Sequence, residues 1–174
     1  MDIKLYSGHI DNDDRLNIEQ ENSFRGGFKT VLLPSGFILW RFLSKKMDNP
    51  FRAYWIDRKT MMKIMELLHQ YGNFSESFKK ENIRNSLAMP SNYSKLNWRI
   101  KIKLNKEVIA HIGVTGSQKM FEKQKANIFP SFSGNTVEKT IETRMGGCFQ
   151  YVIPRFQKLP VNNEWARIEL FVHL

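Results

Sequence analysis

Cys148 is the only cysteine among 174 residues, which excludes an internal disulfide and a thiolate zinc site, because each needs more than one sulfur. No run approaches the roughly 18 apolar residues of a membrane-spanning helix. The opening MDIKLYSGHIDNDDRL lacks both the basic flank and the apolar stretch of a signal peptide. The reading is a soluble chain that suits a reducing cytoplasm and is not sent out by simple signal-peptide export. His9, His69, His111 and His173 show no metal-ligand spacing, so each reads as an ordinary surface or core histidine. Acidic residues are also in the minority, 17 against 27 lysines and arginines, for a net charge of +10.

That charge is unevenly placed. Asp2, Asp11, Asp13, Asp14, Glu19 and Glu21 outnumber Lys4, Arg15 and Arg25 in residues 1–26, a net of −3, so the remainder carries +13. A field of that sign attracts nucleic acid, phosphorylated ligands or an acidic protein, and does not choose among them. With 41% hydrophobic and 13% aromatic content, the chain has material for one good core. We expect an N-terminal arm over 1–27 and a single domain over 28–174.

Within that domain, Pro34-Ser35-Gly36 is a turn between two apolar runs, so 29–33 and 37–43 read as consecutive strands. Asp57 is placed to cap a helix over 58–71, where Met61, Ile64, Met65 and Leu68 recur at helical spacing, and a second helix is expected over 76–87. LNWRIKIKL alternates strictly, with Trp98, Ile100, Ile102 and Leu104 opposed to Arg99, Lys101 and Lys103. EVIAHIGV is expected beside it. The polar stretch 116–147 suggests a short helix near 119–125 and a long loop in FPSFSGNTVEK, before the strands CFQYVIP and WARIELFVHL. Strands, then helices, then strands favour a mixed α+β domain.

Four features could carry chemistry. Arg41 stands among Leu39, Trp40, Phe42 and Leu43, where a guanidinium must be paired, open onto a cleft, or lie on the wet face of an edge strand. NPFRAYWI offers Tyr54 and Trp55 either to stack on an aromatic ligand or to fill the core. HIGVTGSQ ends a strand in two glycines before Gln118. GGCFQYVIP leads two glycines into a strand whose lone amide, Gln150, is either an outward-facing residue or one presented to a ligand. Cys148 can meet a histidine only through tertiary proximity that the sequence does not show.

Taken in order, LLPSGFILWRF, NPFRAYWI, HIGVTGSQ and GGCFQYVIP resemble bacterial toxins of the ADP-ribosyltransferase-like fold that destroy NAD. These include the tuberculosis necrotizing toxin and toxin domains of polymorphic and type VI secretion effectors. The resemblance spans about residues 31–154 and implies a split β-sheet core with helices after the first strands. It also implies an NAD(P) glycohydrolase with no prosthetic group and NAD or NADP as substrate. Arg41 then helps hold the dinucleotide, Tyr54 and Trp55 line the nicotinamide side, Gln150 is the active-site glutamine, and Gln118 is a further binding residue. Departures are the two glycines where three are usual, Cys148 and Phe149 before the glutamine, and a long 119–145 segment.

The resemblance further implies an effector delivered by a route without a signal peptide, acting in the recipient cytoplasm. A cognate immunity protein, expected to be acidic, restrains such toxins in the producer. With Cys148 rather than an acid two positions before Gln150, transfer to water is favoured over mono-ADP-ribosylation of a macromolecule, although Glu138 and Glu142 leave the transferase open. From another class, the +13 charge, the basic face at 99–103 and the four histidines suit a ribonuclease-type toxin or a nucleic-acid-binding module.

Overall fold

Along the chain run β1 (Lys4–Leu5), α1 (Ile18–Asn22), β2 (Phe24–Leu33), β3 (Ile38–Leu43), β4 (Tyr54–Asp57), α2 (Arg58–Gln70), α3 (Glu76–Ser86) and β5 (Trp98–Leu104). There follow β6 (Val108–Thr115), β7 (Gln118–Lys125), β8 (Thr136–Arg144), β9 (Phe149–Val152), a 3-10 turn over Pro154–Lys158, and β10 (Ala166–His173). The computed structural model describes residues 2–44, 50–70, 72–89, 95–125, 136–144 and 146–173, with only the backbone for 118–125 and 136–143. Asn49, the first residue of NPFRAYWI, and Tyr71, the expected end of the first helix, lie outside the described residues, as do 126–135 of the polar segment.

The fold is α+β: one eight-stranded sheet in the order β1-β2-β6-β9-β4-β3-β5-β10, every described pair antiparallel, with β7-β8 as a separate two-stranded sheet. Alternation sets the two faces of the large sheet. One face gathers the main core from both ends of the strand order: Val31, Leu33, Leu39, Leu43, Trp55, Ile100, Ile102, Leu104, Tyr151 and Ile153 are all buried there. Phe51 and Phe156 close this core against Trp55, with ring centroids 5.7–6.3 Å apart among the three.

The opposite face takes the helices. Asp57 Oδ1 accepts the Thr60 amide at 2.7 Å and starts α2, whose Met61 and Ile64 then pack on Phe42 and Ile56. Ser75 caps α3 by accepting the Phe78 amide at 3.3 Å, and Ile83 and Leu87 join the same cluster.

Two expectations are corrected. Residues 119–125 form strand β7, not a helix, and Thr136 onward is strand β8, not loop. Their register sets Glu122 against Lys139 and Lys123 against Glu138, and pairs backbone groups that a helix of so few residues could hardly hold in water. The N-terminal arm carries regular structure of its own. β1 pairs with β2, and α1 carries a reciprocal Asn17/Gln20 capping box, 2.9 Å in both directions. β2 itself reaches back to Phe24 through a bulge between Arg25 and Lys29.

Candidate functional site

The turn before β9 is built on close backbone approach. Gly146 has φ +72°, and a Cβ there would lie 2.4 Å from the Thr115 carbonyl oxygen, so no other residue fits without a shift of main chain. The Gly147 amide donates to Thr115 O at 3.0 Å and to Thr115 Oγ1 at 2.8 Å, while Gly146 N donates to Asn85 O at 2.9 Å. The two glycines thereby dock the chain on the end of β6 and on α3, and β9 leaves in a fixed register.

That register decides where Gln150 sits. β9 lies between β6 and β4, with Gln150 opposite Gly113 and Tyr54 opposite Val152. Directly paired residues share a face, and so do residues two apart. Gln150, Val152, Tyr54 and His111 therefore lie on one face of the sheet, where Phe24, Ala53, Val152, Leu16 and Tyr54 cluster. The Gln150 side chain is 9% exposed, and its carboxamide has no hydrogen-bond partner among the described residues. Gly113 leaves room beside it that the Phe24 ring occupies: a Cβ at 113 would lie 2.6 Å from Phe24 Cδ1. Tyr151 points the other way, into the core, and donates to Asp57 Oδ2 at 3.2 Å; burial, with Asp57 adding to it, pushes the phenol up.

Arg41 belongs to the core face. It stands opposite Ile100 and alternates with Leu39 and Leu43. Its Nε and Nη1 atoms are buried without a hydrogen-bond partner among the described residues. Desolvation, with the neighbouring Arg52 charge adding to it, pulls the guanidinium down to about 10. Trp55 shares that face, 1% exposed, its Nε1 donating to Arg52 O at 2.5 Å. Thus β3, β4 and β9, which carry Arg41, Tyr54 with Trp55, and Gln150, are immediate neighbours in the sheet. Tyr54 and Gln150 lie on one face of it, Arg41 and Trp55 on the other. Gln118 begins β7, its backbone opposite Arg144.

Two further groups lie near this site, His111, which proves to be a core histidine, and Arg52. His111 is buried, its Nε2 2.7 Å from Asp14 O and its Nδ1 3.1 Å from Thr30 Oγ1, and desolvation lowers its pKa. Its partners lie 97 and 81 positions away, so no local signal marks it. Arg52 had a signal, since it stands inside NPFRAYWI. Cys148 is half-buried with its thiol pushed up by desolvation, which Lys63 only partly opposes, so it is a poor nucleophile. Among the described residues no cluster of His, Cys, Asp and Glu is placed to hold a metal.

Two cavities border these faces. One of about 180 Å³ lies between the arm and β2/β6, lined by Ile10, Leu16, Phe28, Thr30 and His111 with Arg15 and Glu21. Another of about 380 Å³ opens at the start of α2, where Phe37 and Ile38 meet Asp57, Arg58 and Lys59.

No family model and no curated protein matches the chain. Among solved structures, one described as Rhs1-CT in complex with cognate immunity protein RhsI1 is similar over 87% of this chain and 84% of that chain. The identity is 13% and the TM-score 0.49, a likeness too remote to carry a function across.

Proposed function

We propose that this chain is an effector toxin domain that cleaves the nicotinamide–ribose bond of NAD or NADP and depletes the nucleotide in a target cell. The observation that supports it is the adjacency of β3, β4 and β9. Motifs from residues 41, 54 and 150, scattered through the sequence, stand on three neighbouring strands, and two of them share a face.

The chemistry asks little of acid–base groups. Breaking the bond develops positive charge on the ribose, and a site must orient the sugar, hold the departing ring and stabilise that charge. Gln150 can hold a ribose hydroxyl by hydrogen bonding without ionising, and its carboxamide has no competing partner among the described residues. Tyr54, half-buried on the same face, offers a ring against which nicotinamide stacks. Arg41 is only partly buried, and its Nε and Nη1 atoms have no hydrogen-bond partner among the described residues, so its guanidinium is left to grip the pyrophosphate in this reading. Trp55, packed on Phe51 and Phe156 in the core, anchors the strand that presents Tyr54, and Gln118 is a further binding residue in this reading. Water is the acceptor, since position 148 is a cysteine of raised pKa rather than an acid.

The partner fitting this reading is an acidic immunity protein, and the place of action is a recipient's cytoplasm reached without a signal peptide. A nucleic-acid role draws less support from β5, because Lys101 pairs with Glu169 at 2.8 Å and Arg99 Nη1 turns inward onto Met65 Sδ at 3.3 Å.

The test is incubation of the purified protein with NAD and with NADP. Nicotinamide and ADP-ribose, or its phosphate, should appear in equal amounts. Intact nucleotide beside degraded RNA would replace this reading with the ribonuclease one.

A further inference from the structure

We propose that residues 10–22 form a lid over the sheet face that carries Tyr54 and Gln150, and that the Asp14–Arg155 ion pair is its latch. What lies beneath rests on the NAD reading; the lid itself does not.

The contacts define it. Asp14, 3% exposed, receives both Nε of Arg155 at 2.9 Å and Nη2 at 2.6 Å, a two-pronged ion pair whose carboxylate is buried and whose guanidinium is partly exposed. Arg155 is itself held, its guanidinium 4.7 Å from the centroid of Trp165. The Asp14 carbonyl meets His111 Nε2 at 2.7 Å, and Lys158 donates to Asp13 Oδ1 at 2.5 Å. Two residues on, Leu16 packs beside Tyr54, Val152 and Phe24. The segment thus crosses the His111–Val152–Tyr54 surface, and Phe24, two residues past α1, covers the step between Gly113 and Gln150.

Three features separate this segment from the core it covers. Its regular structure is only the five residues of α1, with the two residues of β1 ahead of it. Its seat is imperfectly filled, since the 180 Å³ cavity lies between it and Phe28, Thr30 and His111. All the ion pairs that tie it to the body, among the described residues, fall on Arg155 and Lys158, so loss of one cation removes a concentrated part of its hold. A lid of this kind answers part of a difficulty in the functional reading, the burial of Gln150: its opening bares Tyr54 and Val152 and takes Leu16 off Phe24, the β2 ring that stands beside Gln150.

The experiment uses the full chain and the variants Arg155→Gln and Lys158→Ala, the second a milder change at an exposed pair. Three quantities are read: diethylpyrocarbonate modification of His111 by mass spectrometry, backbone hydrogen exchange, and nicotinamide release from NAD. Arg155→Gln should speed His111 modification at least tenfold, with faster exchange confined to residues 10–22 and protection of β3 and β5 retained, and nicotinamide release should rise several-fold. Lys158→Ala should move the same readouts the same way by two- to threefold. Unchanged His111 reactivity in both variants would overturn the lid, as would loss of protection throughout the sheet, which makes the segment part of the core. A lid that opens without faster nicotinamide release, in a protein that cleaves NAD, would also overturn it. If no form releases nicotinamide, the NAD reading fails and His111 reactivity alone decides the lid.

Discussion

Arg41 lies directly opposite Ile100, a guanidinium against a fully buried aliphatic side chain, with Leu39 and Leu43 on either side of it. An unneutralised charge in such surroundings weakens the fold. Arg41→Met, similar in length and apolar, should raise the thermal midpoint of the ligand-free protein, with a gain on the order of 1–3 kcal/mol in urea unfolding. Nicotinamide release should fall sharply in the same variant. A drop in stability would mean that the charge is satisfied in the resting fold and is not held for a ligand.

Gln150→Ala should reduce nicotinamide release by roughly a hundredfold or more, the usual loss when one oriented hydrogen-bonding group leaves a reacting centre. Circular dichroism and unfolding should stay near those of the unaltered protein, since the carboxamide bonds to no described residue. Gln150→Glu, assayed beside it, separates shape from charge.

The two glycines before β9 should respond differently to alanine. At Gly146 a methyl group meets Thr115 O at 2.4 Å and φ is +72°, so Gly146→Ala should cost about 3 kcal/mol or more. At Gly147 φ is +110° but nothing lies within 4 Å of the added carbon, leaving only backbone strain, about 1 kcal/mol. Urea titration of both variants reads the difference.

Acid should weaken the fold through His111. Its folded pKa lies below the ordinary histidine value, mainly from burial, although the Asp14 carbonyl and the Asp14 and Glu21 charges pull the other way. The unfolded chain then binds the proton more readily, so this contribution is complete above pH about 6.5 and is lost as pH falls below it. Unfolding free energy measured between pH 7.5 and 5 should decline, and His111→Gln should flatten that slope.

Much of the fold follows from local rules. The alternation of Arg99 to Leu104, the helical spacing of Met61, Ile64 and Leu68, and the Pro34-Gly36 turn each report a face or a boundary within a few residues, so β5, α2 and the β2–β3 turn were legible. β7 was misread because FEKQK has no clean period of either kind, and what makes it a strand is a partner beginning at Thr136. The candidate site was legible as residues and not as geometry. Alternation along ILWRFL already puts Arg41 with Leu39 and Leu43, but the face taken by Gln150 depends on the β9 register, fixed by Thr115 and Asn85 far upstream. The packing of the arm was invisible for the same reason: Asp14 and Arg155 are 141 positions apart.

That separation also orders events during synthesis. Asp14 leaves the ribosome early, and its carboxylate has no Arg155 to meet until the Pro154–Lys158 turn follows, after nine of the ten strands among the described residues have been made. The nascent protein therefore builds most of its sheet before this ion pair can form, and locking the arm in place belongs to the last moments of maturation.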